Sequence, residues 1–238
     1  MLANLKQVFA ECYGVEPEQV IKAPGRVNLI GEHTDYNQGF VLPCALEYHT
    51  LVSISGRDDK EVHVLALDSN GETDCFHLDQ PIAFHLTKMW ANYVRGVVVA
   101  LQNRGHSLHG CNIAVTGNIP QGAGLSSSAA LEVAVARAIT AIAGVELSPL
   151  ELARVGQDAE NEFVGCNSGI MDQLISVTGK AGHAMAIDCK NINMEPVAIP
   201  EGLSIVLINS NVRRGLVDSE YNLRREQCEA AARHFGAT

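Results

Sequence analysis

Residues 118–144, NIPQGAGLSSSAALEVAVARAITAIAG, decide how this chain is interpreted. A glycine turn runs into a serine-rich helix start, as in loops that bind phosphate, but the lysine of the spacing G-x-x-x-x-G-K-[ST] is absent. The first turn of a helix leaves about four N–H groups unpaired and carries roughly half a positive charge. These groups can bind an anion without a cationic side chain, and Mg²⁺ is expected to supply the remaining charge. For this stretch alone, an ordinary alanine-rich helix behind a glycine turn is an equal alternative.

The composition limits the class of protein. The chain has 238 residues and a formal net charge of -10, which disfavours non-specific binding to nucleic acid. The longest apolar region, residues 129–143, is interrupted by Glu132 and Arg137 and is too short to span a bilayer. Seven scattered cysteines without a C-x-x-C pair indicate thiols in a reducing compartment. We therefore expect a cytoplasmic protein that has no nucleic-acid or membrane partner.

The order of the predicted elements indicates an α+β fold, with a mixed β-sheet packed with helices. An amphipathic helix is predicted at the N-terminus, and strands are predicted around residues 19–31 and 111–120, with three antiparallel strands over residues 48–78. Helices are predicted over 87–105, 127–144, from Ser148 onward in a capping box with Glu151, and over 169–179. Strands at 183–190 and 203–210 and a helix at 219–235 follow. We expect one domain over residues 1–195 and the beginning of a second α+β domain, cut short, over residues 196–238.

Two further stretches concentrate polar side chains. Residues 23–39, APGRVNLIGEHTDYNQG, place an arginine, carboxylates and an imidazole around a glycine turn, and such groups both donate to and accept from neighbouring hydroxyls. By itself this stretch is better explained as a solvated surface loop. Asp172 has apolar neighbours in GIMDQL and needs a partner, for which Arg26 is the natural candidate. Taken alone, Asp172 is more simply a first-turn helix acid.

Together, the three stretches resemble the family of sugar and small-metabolite kinases that includes the galactokinases and the homoserine, mevalonate and phosphomevalonate kinases. Residues 25–39, GRVNLIGEHTDYNQG, resemble the signature of the galactokinase branch, and residues 120–132, PQGAGLSSSAALE, resemble the phosphate loop of the whole family. The resemblance runs over essentially the whole chain. The family's third, glycine-rich motif, near the C-terminus, has no match here, which puts the activity of the chain as given in doubt.

The resemblance implies roles for individual residues. Arg26 and Asp172 match the catalytic pair, and Ser128 and Glu160 match the Mg²⁺ ligands. Trp90 and Tyr93 resemble residues of the adenine pocket, although aromatic side chains packed in the core are the alternative. The positions that match sugar-binding residues are Glu32, His33, Thr34, Asp35, Gly169, Asp172 and Tyr221. Those that match the loop over the ATP phosphates are Gly122, Ala123, Gly124, Leu125, Ser126, Ser127 and Ser128.

The implied activity is Mg²⁺-dependent phosphorylation of α-D-galactose at C1 by ATP, in galactose metabolism, by a monomer. Asp172 would act either as a general base or as a group that orients the sugar hydroxyl. Three alternatives stay open: a non-catalytic sensor of galactose and ATP, a kinase for N-acetylgalactosamine, and a mevalonate-type kinase. The last is disfavoured because the stretch GEHTDY suits a sugar.

Overall fold

The computed structural model describes residues 1–210 and 218–236. The helices are α1 (Leu2–Tyr13), α2 (Met89–Asn103), α3 (Ser127–Ile142), α4 (Pro149–Asp158), α5 (Met171–Thr178) and α6 (Asp218–Phe235). A 3₁₀ turn spans Asp35–Asn37, and a π-helical segment, Ala159–Val164, follows α4 directly. The strands are β1 (Gln19–Asn28), β2 (Phe40–Val41), β3 (Pro43–Gly56), β4 (Glu61–Ala66), β5 (Glu72–His77), β6 (Cys111–Gly117), β7 (His183–Asp188) and β8 (Asn193–Ala198). This arrangement confirms the predicted α+β class.

The main sheet has five strands in the order β1-β3-β6-β4-β5. It is mixed, as predicted, because β4 and β6 run parallel while the other pairs are antiparallel. The three antiparallel strands predicted over residues 48–78 all form, but β3 and β4 are not hydrogen-bonded neighbours in the sheet. Strand β6 lies between β3 and β4, with Ile113 opposite both Ile54 and Val64. The residues of β6 from Cys111 to Ala114 are all buried, and a buried strand needs hydrogen-bonding neighbours on both edges.

The two faces of this sheet are covered by different helices. Helices α2 and α3 pack on one face, where strand residues such as Val52, Ile54 and Val62 are at most 1% exposed. Helix α1 packs on the other face through Leu5 and Phe9. Each fully buried aliphatic or aromatic side chain contributes about 1.5–3 kcal/mol, so the cores on both faces stabilise the sheet that carries the polar loops.

A smaller sheet, β2-β7-β8, braces the loop that follows β1. It packs with α5 around a second core that includes Leu174, Ile175 and Ile187, all fully buried. The Ser176 hydroxyl donates to the Pro24 carbonyl oxygen at 2.9 Å, which ties α5 to β1. Helix α5 therefore lies against the strand that carries Arg26.

The capping box predicted at α4 is present: the Ser148 hydroxyl accepts from the Glu151 N–H, and the Glu151 carboxylate accepts from the Ser148 N–H. The strand predicted at 203–210 is wrong, because these residues have no neighbouring strand within the described chain, and Ile208 is 89% exposed. Strand β8, which pairs with β7 on the side away from β2 and contains Pro196, was not predicted from the sequence. The division into two domains at residue 195 stays a prediction.

Across residues 1–210 and 218–236, every helix is too short or too polar to cross a bilayer.

Candidate active site

The phosphate loop leads from β6 into α3 through three left-handed residues. Gly122 has φ 71°, Gly124 has φ 73°, and Ser126, the N-cap of α3, has φ 56°. This conformation is unstrained for glycine but costs a residue with a side chain about 1–2 kcal/mol. The Ser126 hydroxyl makes no capping bond and instead donates to Asp172 Oδ2. The first N–H groups of α3 are therefore left available for an anion.

Arg26 and Asp172 form the ion pair that the sequence predicted. Arg26 Nε and Nη2 donate to the two Asp172 oxygens at 2.7 Å each, and both side chains are largely buried, 14% and 23% exposed. The third guanidinium nitrogen, Nη1, donates to the Gly124 carbonyl oxygen at 2.6 Å. Because Arg26 contacts Gly124 and Asp172 together, it fixes the loop relative to α5.

The backbone brings β1 and the loop into contact. The Arg26 N–H donates to the Leu125 carbonyl oxygen at 3.1 Å, next to an irregularity in the pairing of β1 with β3 between Pro24 and Arg26. A Cβ atom on Gly25 would lie 2.8 Å from that same oxygen, so the approach requires glycine. The glycine of the stretch APGR therefore sets the distance between the strand and the phosphate loop.

Ser128 and Glu160 meet on the other side of the loop. The Ser128 hydroxyl donates to Glu160 Oε1 at 2.9 Å, while the Ser168 hydroxyl and Gln173 Nε2 each donate to Oε2 at 2.9 Å. Burial raises the pKa of Glu160, and the negative charge of Asp172 adds to this effect. A carboxylate and a hydroxyl beside a helix start are hard oxygen donors of the kind that Mg²⁺ takes. Glu160 lies in the π-helical segment, a distortion that is frequent at functional sites.

Sequence reasoning missed two side chains behind Glu160. Gln173 Nε2 also donates to Glu132 Oε2 at 3.0 Å, so one amide group joins two carboxylates. Glu132 is fully buried, and burial raises its pKa well above that of an exposed glutamate, with the charge of Glu160 adding to the effect. Glu132 Oε1 and Gln173 Oε1 are buried and have no hydrogen-bond partner among the residues that the structure describes. The available signal is the position of Glu132 within an otherwise apolar helix, because a buried carboxyl group needs a hydrogen-bond partner.

The predicted sugar residues gather around Asp35. A Cβ atom on Gly169 would lie 2.0 Å from Asp35 Oδ2, so glycine is what allows the carboxylate to approach. Burial raises the pKa of Asp35, and the nearby Asp172 carboxylate raises it further. Burial also raises the pKa of Tyr221, with Asp35 and then Asp172 adding to the effect. Asp35, Asp172, Gly169 and Tyr221 therefore lie near one another, and their sugar-binding role stays a prediction.

The other predicted sugar residues, Glu32, His33 and Thr34, lie in the loop that follows β1. The His33 ring lies 5.6 Å from the Tyr221 ring and 5.7 Å from that of Tyr36, a residue that sequence reasoning missed. The Thr34 hydroxyl lies 2.8 Å from the Gly31 carbonyl oxygen and 2.7 Å from that of Phe40, so it braces the loop. Glu32 Oε1 accepts from Asn28 Nδ2 at 3.2 Å at the exposed rim.

A cavity of about 300 Å³ opens beside the start of α3. Trp90 and Tyr93 line it together with Ser127 and Ser128, so the residues predicted for adenine and for phosphate share one space. The Trp90 indole donates to Glu72 Oε2 at 2.7 Å, which holds the ring at the cavity wall. A planar ring with an adjacent helix start can accommodate a base with attached phosphates.

Comparison with known proteins agrees with this geometry. Residues 7–56 match the galactokinase galactose-binding signature, and residues 92–180 match the N-terminal domain of the GHMP kinases. The chain belongs to the GHMP kinase family. Its fold resembles that of galactokinase from Lactococcus lactis, solved in complex with galactose, with 34% identity and a TM-score of 0.88 over 99% of this chain. The chain spans 61% of the length of that galactokinase.

Other kinases of the family share the fold at lower identity. Mevalonate kinase from Methanococcus jannaschii is 20% identical, with a TM-score of 0.62 over 75% of this chain and 55% of its own. The D-glycero-D-manno-heptose 1-phosphate kinase from Bacteroides thetaiotaomicron is 18% identical, with a TM-score of 0.61 over 79% of this chain and 60% of its own. These two structures support the GHMP kinase fold alone. The match of residues 7–56 to the galactokinase galactose-binding signature relates the N-terminal part of the chain to the galactokinases.

Proposed function

We propose that this GHMP kinase transfers the γ-phosphoryl group of ATP to the C1 hydroxyl of α-D-galactose. The observation that carries the proposal is the position of the Arg26–Asp172 pair. Arg26 donates to Gly124 in the phosphate loop, while Gly169, three residues before Asp172, lies against the Asp35 carboxylate among the candidate sugar residues. A pair that contacts the phosphate loop and lies near the candidate sugar residues is where an acceptor hydroxyl and a phosphoryl donor would meet.

In the proposed reaction, the galactose C1 oxygen forms a bond to the γ-phosphorus while the bond from that phosphorus to the β–γ bridging oxygen breaks. The hydroxyl proton passes to the Asp172 carboxylate or, if Asp172 only orients the hydroxyl, to solvent, and ADP leaves. Such a reaction needs mainly positioning and neutralisation of charge. Arg26 would stabilise negative charge on the transferring group, and the N–H groups of α3 would hold the phosphates. Ser128 and Glu160 would hold Mg²⁺, which supplies further neutralisation of phosphate charge when bound.

The choice of sugar is expected to follow from hydrogen bonding. Asp35 provides an acceptor carboxylate near Asp172, and its partial burial makes an unpaired group there costly, while His33 adds an exposed imidazole beside Tyr221. A sugar with one inverted hydroxyl would leave at least one such group unpaired, which weakens binding in the transition state. Galactose is favoured over N-acetylgalactosamine because the signature over residues 7–56 is that of galactokinases.

The test is a coupled ADP-release assay with galactose, glucose and N-acetylgalactosamine, with calorimetric titration of each sugar and of a non-hydrolysable ATP analogue. We expect turnover with galactose and none with glucose, and loss of turnover in Asp172→Asn. Binding of galactose and nucleotide without turnover would favour the sensor alternative. A preference for N-acetylgalactosamine would reassign the substrate, and the absence of any sugar binding would contradict the proposal.

A further inference from the structure

The outer face of the β4–β5 hairpin carries four side chains of metal-binding types, well separated in sequence from the candidate active site. The register places Glu61 opposite His77 and His63 opposite Cys75. Residues two apart on a strand share a face, so all four lie on the same side of the sheet. Val62 and Val64, which alternate with them, are buried in the core beneath α2 and α3. The four side chains therefore lie on the face away from that core.

Three of these side chains already converge. The ligand atoms of Glu61, His63 and Cys75 all lie within 4.8 Å of one another, and His63 Nε2 is 2.8 Å from Glu61 Oε2. Tetrahedral zinc with bonds of about 2.1 Å to nitrogen and oxygen separates those two atoms by about 3.4 Å, and zinc to sulfur bonds are about 2.3 Å. Side-chain movements on the order of 1 Å would therefore complete the geometry. The partial exposure of His63 and Glu61, 34% and 31%, leaves room for such movement.

The surroundings hold the carboxylate in place. His77 Nε2 lies 3.1 Å from Glu61 Oε1, on the oxygen that does not face His63. Arg57 lies 3.3 Å from Glu61 Oε2 and is the main obstacle to a cation. Its guanidinium also forms hydrogen bonds with two other residues. Arg57 Nε donates to Asp59 Oδ1 at 2.9 Å, and Arg57 Nη1 donates to Asn112 Oδ1 at 3.0 Å. Asp59 therefore offsets the charge of Arg57, and His77 keeps Glu61 oriented.

A cleft of about 340 Å³ gives access to this group. His63 and Cys75 line it together with Cys12 and Tyr13 at the end of α1 and Lys88 before α2. The Lys88 ammonium is bound to the Thr73 carbonyl oxygen at 2.5 Å. The cleft leaves space for a water molecule as the fourth ligand of a metal that keeps three protein ligands.

We propose that Glu61, His63 and Cys75 bind a late first-row divalent metal ion, of which Zn²⁺ is the representative. Imidazole, thiolate and carboxylate together select such ions, whereas Mg²⁺ takes oxygen donors. The site is separate from Ser128 and Glu160, and it does not rest on the proposed kinase activity.

The test is titration of the full chain with Co²⁺, followed by displacement with Zn²⁺. A bound thiolate gives a charge-transfer band in the near ultraviolet, which reports this site and not an oxygen-ligand site. We expect one equivalent of Co²⁺ to produce the band and Zn²⁺ to remove it. The absence of a band in the wild-type chain at saturating Co²⁺ would overturn the proposal without reliance on any variant.

Variants then locate the ligands. Cys75→Ser should abolish the band, and His63→Ala should weaken Co²⁺ binding by at least about tenfold, since even partners of ligands cost 10–100-fold. His183→Ala, which removes an exposed imidazole on β7, and Glu160→Gln should leave the band unchanged. A band that persists in Cys75→Ser, or that Glu160→Gln removes, would overturn the assignment. Circular dichroism of each variant checks that the hairpin still folds.

Discussion

Gly169→Ala is a substitution whose effect can be worked out from the structure. The new Cβ atom would lie 2.0 Å from Asp35 Oδ2 and 2.4 Å from its Cγ, whereas ordinary contact begins at 3.4 Å. The Asp35 carboxylate must therefore move by about 1.4 Å. The φ of Gly169 is not positive, so alanine adds no backbone strain there.

A displacement of about 1 Å in a positioning group can cost about 100-fold in rate, which corresponds to about 2.7 kcal/mol. We therefore expect kcat/KM for galactose to fall about 100-fold in Gly169→Ala. Binding of the ATP analogue should change less than about twofold, because the cavity beside Trp90 does not include Gly169 or Asp35.

The assays are ADP release and calorimetric titration with galactose and with the ATP analogue. Gly56→Ala is the matched control, because its Cβ would meet only Glu18 Oε1 at 3.4 Å and its φ is not positive. If the effect acts through Asp35, then Gly169→Ala should add little to Asp35→Ala, which itself should weaken galactose far more than ATP. Normal galactose affinity in Gly169→Ala, or a full additional loss in the double variant, would refute the reasoning.

Three further predictions concern other parts of the molecule. Asp172→Asn should lower kcat by about 100-fold or more if Asp172 is a general base, and a near-normal rate in the ADP-release assay would rule that role out. Trp90→Ala should weaken binding of the ATP analogue by about tenfold while galactose affinity stays unchanged, and calorimetry that finds the two affected equally would contradict the adenine assignment. Because burial raises the pKa of Glu132 well above 4.5, the folded chain binds more protons than the unfolded chain above that pH, and the free energy of unfolding should fall as pH rises through this interval. Glu132→Gln should remove its share of that decrease and be the more stable form at about pH 8 in urea titrations, and an unchanged pH dependence would show that Glu132 is ionised in the folded chain.

The sequence predicted those parts of the fold that depend on local signals. The capping box of Ser148 and Glu151 and the glycines before α3 act through neighbouring backbone groups, so their effect is visible within a few residues. The position of β6 between β3 and β4, in contrast, does not depend on local signals. It depends on contacts between residues about 60 apart along the chain, such as Ile54 and Ile113, and no local pattern encodes that pairing.

The candidate site divides in the same way. Arg26 and Asp172 could be paired from the sequence because an acid among apolar residues needs a cation, and Arg26 lies in another stretch that concentrates polar side chains. Gln173 could not be assigned, because an amide beside an aspartate gives no indication that it bonds to two buried carboxylates. Tyr36 was passed over because its role depends on the fold bringing α6 close enough for Tyr221 to pack against it, with ring centroids 5.5 Å apart.

Helix α5 explains why the two halves of the candidate site must act together. Its neighbouring residues Asp172 and Gln173 project about 100° apart around the helix, so one bonds to Arg26 and the other to Glu160. The helix has only eight residues, and fully buried Leu174 and Ile175 fix it in the second core. A movement of α5 would therefore shift the pair beside the sugar residues and the carboxylate beside the phosphate loop at the same time. The packing of this helix sets the distance between the proposed acceptor and donor positions, which is the quantity on which phosphoryl transfer most depends.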